Sequence, residues 1–258
     1  MDRTDVAYLI NSTPKYYFLL DFHLTLLQRY APELKWPVFL ASEVPEHPVL
    51  EKLKIKHPHL TIIPLTQEYE GFIESRFMGT QLLPPEIKYV FPIQEDFLLE
   101  ARPEKSYFEE ALQIFDTFSL VASIRIMPCP GPKGDNFFGE SRFKVLNYSM
   151  DDMIFTYQAT LWRTESYQNF MGALAEKLVG MTPERKRKAS IQDNIAEIAV
   201  GQKILVNQGN IHLAYPRDGK QANAVYLCPF PYRPTAVVKG KLEDWAVDLS
   251  KREGFVLE

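Results

Sequence analysis

The chain has 258 residues, 46% hydrophobic and 24% charged, enough to bury a substantial core as one large α/β domain or two small ones. Its net charge of -4 gives no general attraction to nucleic acid or an anionic bilayer, so neither is an expected partner. The two cysteines, Cys129 and Cys228, form no CxxC or Cys/His cluster, which argues against a zinc site or disulfide framework and for reduced thiols in the cytoplasm.

At the N-terminus a short apolar run is broken by Asn11, Ser12, Thr13, Pro14 and Lys15, which is not the pattern of a signal peptide. No stretch reaches the roughly 20 apolar residues of a membrane span, so a soluble chain is expected. The first hundred residues alternate strand-like and amphipathic runs, the pattern of βαβ units around a mostly parallel sheet. Strands are predicted near Val6–Ile10, Pro37–Ala41, Leu60–Pro64 and Tyr89–Gln94. Helices are predicted over Lys15–Tyr30, Val49–Lys56 and Glu68–Leu83.

Beyond Asp96 a helix over Pro103–Phe118 precedes a strand over Leu120–Ile126. Pro128, Pro130, Gly131, Pro132 and Gly134 then interrupt regular structure, and strand-like alternation returns from Phe143 to Gln158. A helix over Glu165–Val179, a basic loop at Arg185–Lys188 and a helix over Asp193–Val206 follow. The tail from Ile211 reads as short strands and turns. No repeat or linker divides the chain, so a single domain is expected, with a nucleotide-binding half over about 1–100 and an acceptor-binding and catalytic half over about 101–258.

Chemistry concentrates at YVFPIQEDFLL, where an apolar strand ends in Gln94, Glu95 and Asp96. Ligands of open parallel sheets collect at the carboxyl ends of strands. A hard divalent cation bridging a diphosphate needs only one or two protein carboxylates, because phosphate oxygens and water complete its shell. A solvated turn or a helix cap is the competing reading of an acidic pair.

In this context the chain resembles the GT-A glycosyltransferases, whose nucleotide-binding βαβαβαβ half ends in a DxD-type motif after the fourth strand. The resemblance implies one GT-A-like, Rossmann-like α/β domain, with a mostly parallel sheet flanked by helices and a smaller mixed β region in the C-terminal half. It implies a hexosyl- or pentosyltransferase that uses Mn²⁺ or Mg²⁺, a UDP- or GDP-sugar donor and a glycan acceptor. Gln94 stands where the first Asp of the motif belongs, so Asp96 is the first choice as metal ligand, with Glu95 beside it on the nucleotide. ASIQDNIAEIAVGQKILVNQGNIHLAY resembles the family's later acidic motif, which places Asp193 as general base of an inverting reaction. Asp193 reads equally as an N-cap, and Glu197, one turn on, is the alternative base. MIFTYQATLWRTESY resembles a Gln-x-x-x-Trp-Lys/Arg stretch of the sugar and acceptor side, which implicates Gln158, Trp162 and Arg163. Trp162 has a core aromatic as its competing reading.

Weaker candidates are Asn11, Ser12 and Thr13 after the first strand, for nucleotide binding or for helix capping. Arg76 is a candidate phosphate contact, and His212 a candidate completion of the metal shell. The run Arg185–Lys188 reads as a solvated loop more readily than as a phosphate grip. Two other functions share this fold pattern: a sugar-nucleotide nucleotidyltransferase, for which INSTPKYY lacks the expected glycine, and a non-catalytic carbohydrate-binding protein.

Overall fold

The computed structural model describes residues 3–65, 71–127, 131–216 and 228–257. Strands β1 (Val6–Ser12), β2 (Val38–Ser42), β3 (Leu60–Pro64) and β4 (Tyr89–Ile93) are apolar along most of their length, as strands covered on both faces must be. They pair in parallel in the order β3-β2-β1-β4. The crossovers are α1 (Tyr17–Tyr30), entered through a 3₁₀ turn at Pro14–Tyr16, then α2 (Pro48–Lys56) and α3 (Phe72–Gln81). Strand alternation divides the core. Val6, Tyr8 and Ile10 face α1 and α2 on one side of the sheet, while Ala7 and Leu9 face α3 on the other.

The second half extends the same sheet. It adds α4 (Lys105–Thr117), β6 (Val121–Arg125), β7 (Lys144–Val145), β8 (Thr160–Arg163), α5 (Thr164–Glu176), α7 (Ala199–Gln208) and β9 (Ile211–Ala214), after a two-residue β5 (Leu98–Leu99) and with the short α6 (Pro183–Arg187) before α7. The full order is β3-β2-β1-β4-β8-β6-β9-β7. β8 lies antiparallel between β4 and β6, and β7 runs antiparallel to β9, so the other six strands share one direction. The expected α/β architecture, a mostly parallel sheet flanked by helices with a smaller mixed β region, is what the chain forms. Small pairs β5–β10 (Tyr232–Arg233) and β11–β12 (Val237–Val238 with Lys241–Leu242) precede the terminal α8 (Asp244–Arg252). No helix among the described residues is long and apolar enough to cross a membrane.

Three expectations need correction. The strand predicted over 143–158 is only Lys144–Val145, and the rest is irregular chain held by polar contacts. Buried Asp151 accepts the N–H groups of Lys133 and Asn147, both at 2.6 Å, and Arg125 donates to the carbonyls of Met153 (2.9 Å) and Ile154 (2.7 Å). The basic run is helical, because Pro183 starts α6, Thr182 caps it, and Lys186 reaches Glu74 at 2.7 Å. The helix predicted from Asp193 begins at Ala199 instead. Lys188–Gln192 forms a π-helical turn, and Asn194 takes φ 47°, a left-handed value that stops it. Glu68, near the predicted start of α3, and Cys129 lie outside the described residues.

Candidate functional site

The site forms where the carboxyl ends of β1 and β4 meet the helix α3. A Cβ at Gly79 would lie 2.9 Å from the Ala41 Cβ and 3.1 Å from the Asn11 Nδ2, so α3 sits tight on β1 and β2. That approach lets Asn11 donate to the Ser75 carbonyl at 3.1 Å, and Ser75 in turn donates to Glu43 at 2.7 Å. It also carries Arg76 to the acidic end of β4. Arg76 is 6% exposed, and its guanidinium lies 3.4 Å above the Phe72 ring and 5.3 Å from that of Tyr157 and donates to the Phe72 carbonyl at 3.2 Å. Aromatic faces stabilise a cation electrostatically while leaving its edge donors free for other acceptors. Arg76, Asn11 and Gln94 line one narrow cleft with Tyr157 and Gln158.

Glu95 is 7% exposed and Asp96 is partly buried. Burial, reinforced by the neighbouring Asp96, pushes the Glu95 carboxyl up to about 8 against the opposing pull of Arg76. Burial pushes Asp96 up to about 6, opposed by backbone hydrogen bonds and by Arg76. The Ser12 hydroxyl lies beside Glu95 but makes no well-formed hydrogen bond. Two adjacent desolvated carboxyls with this little compensation form a hard-oxygen donor set that fits a divalent cation. No group of three or more His, Cys, Asp or Glu among the described residues makes a closed cage.

The tail supplies the site's roof, and sequence reasoning missed it. β10 pairs with β5 two residues beyond Asp96, the Ala236 N–H donates to the Asp96 carbonyl at 3.2 Å, and the Val237 N–H reaches the Asp96 carboxyl. Tyr232 donates to Gln158 Oε1 at 2.6 Å and accepts the Ala159 N–H at 3.1 Å, joining this roof to the opposite wall. Glu197 supports the same wall by accepting the Tyr157 N–H at 2.8 Å, with Asn194 on its other oxygen.

No family model matches the chain, and no curated protein matches it in sequence. Solved structures do resemble it in outline. Residues 1–349 of TarS from S. aureus match with a TM-score of 0.46 and 12% identity over 84% of this chain and 59% of that one. A mannosyltransferase from Pyrobaculum calidifontis, solved with GDP-Man and Mn2+, matches at 0.46 and 15% over 84% and 55%. A 4-diphosphocytidyl-2C-methyl-D-erythritol synthase from Anaerococcus prevotii matches at 0.46 and 9% over 85% and 89%. The chain thus spans less than two thirds of the length of the TarS and mannosyltransferase chains.

Several predicted site residues lie elsewhere. Trp162 reaches the base of the cleft, yet it is 2% exposed and its ring is stacked on Phe170 at 6.0 Å and flanked by Phe155 and Tyr167. Its face is taken by the core, so it does not stack on a sugar. Arg163 pairs in register with Tyr89, the first residue of β4, because β8 runs antiparallel. It therefore stands at the far end of the sheet, donating to the carbonyls of Val121, Phe115 and Phe118. His212 is separated from β4 by β8 and β6, roughly 14 Å at the usual strand spacing. It is buried, shares a 2.7 Å hydrogen bond with Ser123, and is held neutral by burial, with its pKa lowered to about 3. His212 cannot join Asp96 in a metal shell. Asp193 is exposed and closes the π-helical turn through its N–H to the Lys188 carbonyl at 2.8 Å, so it is not an N-cap. Thr13 is exposed and makes no capping hydrogen bond.

Proposed function

We propose that this chain transfers a sugar from a UDP- or GDP-linked donor to a hydroxyl of a glycan acceptor, with inversion and with Mn²⁺ or Mg²⁺. The observation that carries this reading is the desolvated pair Glu95 and Asp96 at the carboxyl end of β4, faced by the stacked Arg76. Asp96, the more open of the two, would hold the cation, whose charge when bound stabilises the leaving diphosphate. Arg76 offers fixed donors to the same phosphates, and Asn11, Ser12 and Thr13 border the place for the nucleoside at the end of β1. Gln158, positioned by Tyr232, borders the sugar.

For the base the geometry favours Glu197 over Asp193. Glu197 touches the cleft wall through Tyr157, and a carboxylate that accepts two hydrogen bonds keeps lone pairs for an acceptor hydroxyl. A base on the acceptor side removes the hydroxyl proton as the anomeric carbon is attacked from the face opposite the diphosphate, which inverts it. The test is transfer from UDP- and GDP-sugars to a panel of glycans with Mn²⁺, with the anomeric configuration of the product read by NMR. Glu197→Gln keeps an acceptor for the Tyr157 N–H and is expected to lower kcat by roughly a hundredfold or more, with a smaller loss in Asp193→Asn. Retention of configuration, or near-normal turnover in Glu197→Gln with a collapse in Asp193→Asn, would overturn this assignment.

A further inference from the structure

The roof over Asp96 turns on one strained residue. Thr235 takes φ 65°, in the left-handed region, where a β-branched side chain crowds its own backbone and is a rare outlier. Such strain persists only where the surroundings over-determine it, and it gathers where a binding group has to be held in place. The Thr235 side chain is exposed and makes no hydrogen bond among the described residues, so it does not offset the strain itself. The compensation comes from the next two residues.

The left-handed turn swings the chain back from β10 so that consecutive N–H groups converge on one residue. The Ala236 N–H donates to the Asp96 carbonyl at 3.2 Å, and the Val237 N–H reaches the Asp96 carboxyl. Successive backbone N–H groups aimed in this way form a concave grip for an anionic group. The strap is braced at both ends. Upstream, Tyr232 and Arg233 pair with Leu99 and Leu98, which follow Asp96 closely in the chain. Downstream, Ala236 is fully buried and accepts the Glu243 N–H at 2.9 Å. The β11–β12 hairpin then turns through Lys239 (φ 51°) and Gly240 (φ 79°), two left-handed residues as a type I′ turn requires.

We infer that the strap 235–237 is a positioning element for the cation site, holding the Asp96 carboxyl still before the cation arrives, and that the left-handed turn at Thr235 sets it. The inference rests on the proposed cation reading and adds to it a residue that touches neither cation nor substrate. A carboxylate free to rotate has to be ordered when a metal binds, whereas one already held by a backbone donor does not. Outer donors of this kind are worth roughly 10–100-fold in metal affinity. Reciprocity then requires the bound cation to hold the strap closed by the same factor.

For the test, Mn²⁺ is titrated into the full chain with UDP, and with GDP in a parallel series, and free Mn²⁺ is read by electron paramagnetic resonance. Thr235→Pro forbids the left-handed turn, because the ring fixes φ at about −65°. It is expected to weaken Mn²⁺ about tenfold or more, while nucleotide affinity without cation changes less than about twofold. Thr235→Gly takes the same backbone with no side-chain penalty and is expected to keep Mn²⁺ affinity within about twofold of wild type. Amide exchange on wild type needs no variant to fold: Mn²⁺ with nucleotide should slow exchange at Ala236 and Val237 about tenfold or more. Wild-type Mn²⁺ affinity in a folded Thr235→Pro protein, or an equal loss in Thr235→Gly and Thr235→Pro, overturns the inference, as does exchange at the two amides that Mn²⁺ leaves unchanged or speeds. Wild type that takes up no Mn²⁺ with either nucleotide fails the cation reading itself and takes the strap with it, which sets that outcome apart from a failure of the strap alone.

Discussion

Arg76→Met separates a binding role from a folding role for the cation beside the acidic pair. Met is similar in length and apolar, so it can lie between Phe72 and Tyr157 where the guanidinium lies now. The substitution forfeits a cation–π contribution of roughly 0.5–2 kcal/mol, but it also removes the desolvation of a buried charge, which already lowers the Arg76 pKa. These terms oppose each other, and the net change in stability should stay within about 1 kcal/mol, or about 2–4 °C in Tm for a chain of this size. Phosphate binding has no such offset. Losing charge-assisted hydrogen bonds to a diphosphate removes roughly 1.5–3 kcal/mol, a ten- to 150-fold weaker Kd for UDP or GDP in the presence of Mn²⁺. Calorimetric titration of nucleotide alongside a thermal melt reads both quantities. Unchanged nucleotide affinity in a folded Arg76→Met protein would refute the phosphate role, and a collapse in Tm would make Arg76 structural.

Tyr232→Phe should lower stability by roughly 1–3 kcal/mol, because the buried Ala159 N–H loses its acceptor, and should lower kcat as Gln158 is released; a thermal melt and steady-state kinetics measure the two effects. His212 gives a pH signature. Its folded pKa, about 3, is depressed below the usual value of 6.5, so its contribution is complete above pH 6.5 and is lost as pH falls. By pH 5 that loss is about 2 kcal/mol, and urea unfolding of wild type against His212→Gln should show a shallower decline in the variant between pH 6.5 and 5.

The parts of the fold that were legible in the sequence are those governed by local pattern. The apolar runs around Leu9, Leu40, Ile62 and Phe91 fix β1 to β4, and the acidic turn after Ile93 falls at a strand's carboxyl end because parallel strands leave no other place for it. What stayed hidden depends on partners distant in sequence. The alternation over 143–158 was strand-like, but Arg125 and Asp151 claim its backbone groups and hold it irregular. The antiparallel sense of β8 is not encoded in its own four residues, and it alone decides that Arg163 points away from the cleft. Tyr232 and the roof over Asp96 come from a tail with no periodicity, visible only through pairing with β5. Asp193 looked like a helix start because an Asp before an apolar run resembles a cap, whereas a left-handed Asn194 delays the helix to Ala199.

The acidic pair is the centre of the account, and nucleotide release tests it most directly. Wild type incubated with UDP- or GDP-sugar and a glycan acceptor, whose hydroxyl takes the sugar, is expected to release the corresponding nucleoside diphosphate only when Mn²⁺ or Mg²⁺ is added, and Asp96→Asn is expected to abolish that release while its Tm stays within about 4 °C of wild type. Cation-independent release, or an Asp96→Asn protein that releases nucleotide at the wild-type rate, would contradict it.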